Sequence, residues 1–392
     1  MKLKCEYTLI WLLITLTGCY SRSDYENNMS LPDSLFTKTI DFHELYPFSV
    51  EKTVDISSLG GEIDFVPLET KEGSFFSNAY DLYTNDSLIV INSGGSVLFW
   101  DEKGNFLRRF NKSGRGPEEY ETIFGFSLDF EADIMAIADN VFIKLYTLNG
   151  QFIESLKIPR DPFYLTPNLI FLDSSSLLVE SSRFKPEFKE GYSPLWIIDL
   201  EEKKFKPFFE HYPNKVESFY KKYNFSGKLS GNKEGVIYSA SESYNIYRVQ
   251  RDAKKPELAY KIDFGIYQMP VGLIHDAMNY LEYRKLFIQL AYIHESKKYL
   301  FIRYGINRGI RGSNFEMGYF IFSKKEKKII ANQFESDGIN SKKYPGISFW
   351  PKYIDEQDQF ISLVEASEIK KAEILEGINQ QDNPIVIKFK LD

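Results

Sequence analysis

A short aromatic hairpin, written twice, constrains this chain more than any other feature. In Phe99-Trp-Asp-Glu-Lys-Gly-Asn-Phe-Leu-Arg-Arg-Phe110, apolar arms flank Lys103-Gly104-Asn105, where glycine supplies the positive φ of a tight turn. Leu145-Tyr-Thr-Leu-Asn-Gly-Gln-Phe-Ile-Glu-Ser-Leu156 repeats the design. A hairpin that recurs every several tens of residues belongs to a repeat architecture. A second unit recurs beside it, an apolar strand, a polar turn and another apolar strand, with turns at Thr84–Ser87, Asp129–Asp133, Asp173–Ser176, Ser230–Gly235, His294–Lys298 and Asp355–Asp358.

Turn-to-turn spacings of about 43 to 64 residues match four-stranded propeller blades, the longer ones carrying insertions. The outer hairpins follow as Phe99 to Phe110, Leu145 to Leu156, Trp196 to Phe209, Ile246 to Tyr260 and Tyr319 to Phe334. The sixth is incomplete, because Ile385-Val-Ile-Lys-Phe-Lys-Leu391 ends the chain one strand short. Ile63-Asp-Phe-Val-Pro-Leu68 is placed to supply that strand, which closes the ring and removes a free edge. The expectation is an all-β, six-bladed β-propeller over residues 51–392. Small helical insertions are expected at Pro270 to Leu290 and Glu365 to Gly377. Aromatic residues at 16% suit such a sheet-rich core.

The N-terminus reads as targeting rather than fold. Lys2 and Lys4 precede an apolar stretch, Tyr7 to Thr17, that falls short of the roughly 20 residues a membrane span needs. It ends in Leu16-Thr17-Gly18-Cys19, which resembles the bacterial lipobox, so residues 1–18 are expected to be a signal peptide and Cys19 a lipidated cysteine. Cys5 is the other of the two cysteines, so the processed chain has no disulfide to form. Polar residues 19–50 then read as a tether to an outer-membrane position, at the cell surface or the periplasmic face. Net charge is −7 and no basic stripe stands out, which excludes nucleic acid as the expected partner.

Gly104-Asn-Phe-Leu107, followed by Gly114-Arg-Gly-Pro-Glu-Glu-Tyr120, resembles the "Gly-Lys-Phe-Leu … Gly-x-Gly-Pro-Gly-Glu-Tyr" pattern of six-bladed β-propeller lipoproteins of Bacteroidetes, relatives of NHL-repeat propellers. Pro67-Leu-Glu-Thr70 resembles the same family. Glu118 departs from it, standing where the family often has glycine. The resemblance implies a fold and an envelope location rather than an activity.

Catalytic signatures are missing: there is no His-Glu-x-x-His, Gly-x-Ser-x-Gly, Walker or EF-hand pattern. The 4 histidines, His43, His211, His275 and His294, are scattered, the last in a predicted turn. No cofactor or metal is expected. In the propeller layout, connections after second strands and between blades share one face. That face gathers the candidate binding residues Asn92, Asp139, Arg183, Arg308, Arg311 and Trp350, joined by Arg115, Glu118 and Tyr120 from the loop between the first two blades. A simpler role stands beside each: Asp139 capping a turn, and Gly114 to Tyr120 locking one blade to the next. The sequence therefore points to a non-catalytic envelope lipoprotein that binds a glycan, peptide or protein. The alternative is a metal-dependent lactonase or esterase whose ion would be held by Asn92, Asp139, Glu242 and Glu365 at the channel mouth.

Overall fold

The computed structural model describes residues 38–41, 52–159, 165–181, 195–209, 228–232, 235–239, 244–250, 255–268, 287–307, 315–334, 336–355 and 357–391. Two strands precede the first blade, β1 (Lys38–Asp41) and β2 (Asp64–Pro67). Blade 1 is β3 (Asp81–Thr84), β4 (Leu88–Asn92), β5 (Val97–Asp101) and β6 (Phe106–Phe110). Blade 2 is β7 (Gly125–Asp129), β8 (Ile134–Ala138), β9 (Phe142–Thr147) and β10 (Phe152–Lys157). Blade 3 follows with β11 (Leu165–Asp173), β12 (Ser176–Ser181), β13 (Leu195–Asp199) and β14 (Lys204–Phe209). Blade 4 contains β15 (Lys228–Asn232), β16 (Gly235–Ser239), β17 (Asn245–Val249) and β18 (Glu257–Asp263). In blade 5 the strands are β19 (Gln289–Glu295), β20 (Tyr299–Asn307), β21 (Phe315–Ser323) and β22 (Lys328–Phe334). A two-stranded ribbon, β23 (Ile339–Asn340) with β24 (Ser348–Phe349), leads to blade 6, made of β25 (Tyr353–Ile354), β26 (Gln359–Val364) and β27 (Ile385–Lys390).

The expected closure is present. β2 pairs antiparallel with β27, from Asp64 opposite Lys388 to Pro67 opposite Ile385, and becomes the fourth strand of blade 6. The same segment latches onto blade 1. The Glu69 amide donates to the Gly104 carbonyl at 2.8 Å, and the Glu69 carboxylate accepts from the Phe106 amide. Gly104 has φ +87°, and a Cβ there would lie 2.1 Å from the Pro67 carbonyl oxygen. Glycine is therefore fixed twice over, by the turn and by the chain crossing it.

Strand sequences follow depth in the blade. Second and third strands are covered by neighbouring blades on both sides and read as apolar runs, such as Leu-Ile-Val-Ile in β4 and Val-Leu-Phe-Trp in β5. The outermost β6 alternates between half-buried and exposed positions before ending on buried Phe110. The core is a set of wedges between blades. One holds Phe99, Phe126 and Tyr146; another holds Phe301, Tyr319 and Trp350.

Three features differ from the sequence reading. Lys38–Asp41 lies inside the stretch read as tether, yet it pairs in parallel with β18 as a fifth strand of blade 4, covering an otherwise open edge. His294 sits in β19 rather than in a turn, because the strand runs two residues further than its apolar core. The helix expected from Glu365 to Gly377 is limited to α1 (Ala366–Lys371), ending as Ala372 adopts a capping geometry and Glu373 takes a positive φ. The insertion at Pro270 to Leu290 lies mostly outside the described residues.

Candidate binding site in the axial channel

An antiparallel meander places the turns after first and third strands at one end of the propeller. Connections after second strands and between blades lie at the other. We call these the turn end and the loop end. First strands of each blade line the axis, and side chains lace them together. Tyr83 of β3 lies 5.3 Å from Tyr353 of β25, ring to ring, and its hydroxyl donates to the Phe126 carbonyl at 3.4 Å. Ser127 Oγ accepts from the Phe171 amide at 3.0 Å, and Ser230 Oγ lies 3.2 Å from His294 Nδ1.

Towards the turn end, Tyr83, Phe130, Phe171, Gly231 and Tyr353 border a cavity of about 70 Å³. That is room for a couple of waters, at about 30 Å³ each, and far below the roughly 300 Å³ of a small-molecule pocket.

Towards the loop end the lining changes from aromatic to charged. Asp81, the first residue of β3, accepts from Asn92 Nδ2 at 2.7 Å. Burial pushes its carboxyl up to about 6, against the opposing effects of the Asn92 hydrogen bond and the Lys352 charge. Lys352, just before β25, reaches solvent but is crowded by protein. Desolvation and then the neighbouring Arg303 charge hold its ammonium below the usual lysine range, while Asp81 pulls the other way. Among the described residues that ammonium has neither a hydrogen-bond acceptor nor an ion-pair partner.

Arg303, from β20, places its guanidinium 5.3 Å from the centre of the Trp350 ring. One terminal nitrogen donates to the Asp337 carbonyl, and the Asp337 carboxylate is 4.0 Å away and 97% exposed. Among the described residues, buried Arg303 Nε finds no acceptor, and neither does Trp350 Nε1, in a residue only 8% exposed. Rings of Tyr319 and Phe301 hold the indole at 5.4 and 6.2 Å. His294 completes the channel: desolvation first, then Lys352, lowers its imidazole to about 4, so it is neutral at ordinary pH.

The candidate residues divide accordingly. Asn92 and Trp350 belong to this channel and its wall. Asp139 does not: its Oδ1 accepts from the Val141 and Phe142 amides, both at 2.7 Å, which spends the carboxylate on its own turn. Tyr120 is fully buried between blades 1 and 2, with Phe110 and Tyr146 against its ring. Arg115 is 90% exposed and pairs with Glu121 at 3.2 Å, while Glu118 faces Lys112 at 3.7 Å. Glu119 folds back to accept from the Gly116 amide at 2.8 Å. Lys144 Nζ donates to the Pro117 carbonyl at 2.9 Å, and the Tyr146 hydroxyl to the Glu118 carbonyl at 2.9 Å. Gly114 to Tyr120 is thus an interblade wedge whose carbonyls are caught by the next blade. Cys19, Arg183, Arg308, Arg311 and Glu242 lie outside the described residues, as do His43, His211 and His275.

Asn92, Asp139 and Glu365 do not converge on a shared point: the first is tied to Asp81, the second to its turn, and the third starts α1 without a side-chain cap bond. Among the described residues no three His, Cys, Asp or Glu side chains are grouped to hold a metal. Asp81, Arg303 and Lys352 escaped the sequence reading because isolated charges in short strands look like solvent-facing positions, and His294 reads there as part of a turn. The signal available was Lys352 directly before an inner strand.

A family model described as "Domain of unknown function (DUF4934)" matches residues 37–390. Among solved structures, a candidate exported protein from Bacteroides fragilis NCTC 9343 superposes with a TM-score of 0.69 at 16% identity, over 91% of this chain and 99% of that one. The Neurospora crassa Pan2 WD40 domain is more distant, with a TM-score of 0.40 and 10% identity over 80% of this chain and 89% of that one. No curated protein matches the sequence.

Proposed function

The chain belongs to the DUF4934 family, and from that premise we propose that it is an exported, envelope-anchored propeller that binds a ligand or partner at its loop end without transforming it. One observation carries the binding reading. The loop-end half of the channel holds Asp81, Lys352 and Arg303 in environments that disfavour their charges, and among the described residues the two cations lack a close carboxylate partner other than exposed Asp337. Holding unpaired charge in a concave site costs stability, and such clusters concentrate at functional sites.

The envelope reading rests on the basic start, the short apolar stretch and the lipobox-like Leu16–Cys19. The name of the Bacteroides fragilis neighbour agrees with export. No helix among the described residues is long and apolar enough to cross a membrane. Lipidation would tie the protein to the outer membrane, at the cell surface or periplasmic face, with a glycan, peptide or envelope protein as the bound species.

Two measurements test this reading. Metabolic labelling with a radioactive fatty acid should mark the wild type and not Cys19→Ala; an unlabelled wild type would remove the anchor. A thermal-shift screen of the protein lacking residues 1–19, against glycans and envelope peptides, should find a stabilising ligand. At 100 times its dissociation constant a ligand stabilises the native state by about 2.7 kcal/mol. Silence from glycans and peptides alike would leave only a protein partner, and failure of crosslinking in intact envelopes would then overturn the binding role.

A further inference from the structure

The corner where blade 5 meets blade 6 brings two cations and an indole together with donors to spare. Arg303 lies over the face of Trp350, and Lys352 follows Trp350 by two residues. Stacking on the indole engages the face of the guanidinium but leaves its edge, and Arg303 Nε has no acceptor among the described residues. Trp350 Nε1 has none either, and the Lys352 ammonium is unpartnered among the described residues. Buried donors in native proteins are nearly always satisfied, so Arg303 Nε and Trp350 Nε1, left open beside the exposed Lys352 ammonium, are an exception that asks for an acceptor. The Asp337 carboxylate is not that acceptor, because it stands 4.0 Å off in solvent, and Asp81 is held by Asn92 without an ion pair to Lys352.

We propose that Arg303, Trp350 and Lys352 form a receptor for an anionic oxygen group, a carboxylate or a phosphate or sulfate ester, borne by the ligand of the loop end. The proposal rests on the binding role argued above and deepens it by assigning the ligand's charge. Compact oxyanions present several lone pairs at once, which suits a corner that offers an arginine, a lysine and an indole donor. The apolar surround of Phe301 and Tyr319 strengthens each such contact by excluding water.

Three charged or titratable groups face Lys352 from the surrounding strands: Asp81 on β3, His294 on β19 and Arg303 on β20. Only Asp81, near 6, changes charge between pH 7 and 5.5, since His294 titrates near 4. Protonating Asp81 removes the anion that acts on Lys352 among the described residues, so anion affinity should rise several-fold as pH falls through that range.

The experiment uses the protein lacking residues 1–19, with sodium acetate as the carboxylate probe and sodium sulfate as the ester probe. Ionic strength is matched with chloride, and binding is followed by tryptophan fluorescence and thermal unfolding. Wild type should show a saturable response to at least one probe, and which probe acts distinguishes the two ligand sources. Lys352→Gln should bind about tenfold more weakly, the loss of one charge-assisted contact. Lys352→Arg should retain binding, and Asp81→Asn, which leaves both cations in place, should bind more tightly and lose the pH dependence. An equal response in wild type and Lys352→Gln would reduce the effect to general salt stabilisation and overturn the proposal. So would a flat wild-type response, even if the glycan and peptide screen had found a ligand. If Lys352→Gln does not fold, the Asp81→Asn comparison decides, and unchanged affinity there overturns the proposal.

Discussion

Two interblade junctions of this propeller solve the same packing problem in opposite ways. Between blades 1 and 2 the wedge Gly114 to Tyr120 is saturated: Glu119, Lys144 and Tyr146 each meet a main-chain partner, and Tyr120 fills the core. Between blades 5 and 6, Arg303 packs on Trp350 beside exposed Lys352, yet among the described residues Arg303 Nε and Trp350 Nε1 find no acceptor. The first junction minimises its own free energy. The second keeps interaction capacity in reserve, the arrangement expected of a surface that meets something else.

The largest test of that contrast is Tyr120→Ala. It empties a fully buried aromatic site in the saturated junction and should cost about 3 to 5 kcal/mol in denaturant unfolding. Any anion response of the folded fraction should persist. A loss below about 1 kcal/mol would mean that the wedge is not what holds these blades together.

Next in size is Lys144→Met, which withdraws an ammonium from the Pro117 carbonyl and should destabilise by about 1.5 to 3 kcal/mol. The same change at Lys352, whose ammonium has no partner among the described residues, should be neutral or stabilising. Equal losses at the two lysines would erase the distinction between the junctions.

Asp81→Asn addresses acid behaviour. The native carboxyl, raised to about 6, binds its proton more tightly than in the unfolded chain, so it erodes stability as pH rises from about 4 to 6. His294, lowered to about 4, acts in reverse: the unfolded chain takes the proton first, and stability falls as pH drops from about 6.5 to 4. The two slopes oppose each other in the wild type. Asp81→Asn should therefore be more stable by about 1 kcal/mol at pH 7 to 8 and show a clear loss on acidification. A pH profile parallel to the wild type would contradict this assignment.

Arg115→Ala marks the small end. Its ion pair with Glu121 is exposed, and removal should change stability by less than about 0.5 kcal/mol and leave anion binding unchanged.

The contrast also explains what was legible in advance. Blades announce themselves through alternation, turn glycines and aromatic pairs, which are local signals, and the closing strand follows from a missing partner. The Gly114–Tyr120 motif was legible because a wedge needs special backbone, and its packing role is what the hydrogen bonds describe. Asn92 and Trp350 could be singled out in advance because one ends a strand and the other stands out as an aromatic. Asp81, Arg303 and Lys352 are 49 or more positions apart in sequence, and only the ring brings them into one electrostatic neighbourhood. β1 was hidden in the same way, since Lys-Thr-Ile-Asp carries no strand signal until β18 offers it an edge.

The two N-terminal stretches that edge the blades have a consequence for how the molecule is made. Residues 38–41 touch blade 4 through Asp41, and residues 52–70 touch blade 5 through Lys52, blade 6 through Asp64 and blade 1 through Glu69. Their final contact, Thr70 with Asn383, joins positions 313 apart. β2, near the start of the described residues, therefore waits for β27, the last strand, before it can settle. Contacts of such sequence separation slow folding, so the rate of ring closure, rather than of blade formation, should govern how long newly made chains remain open to proteases.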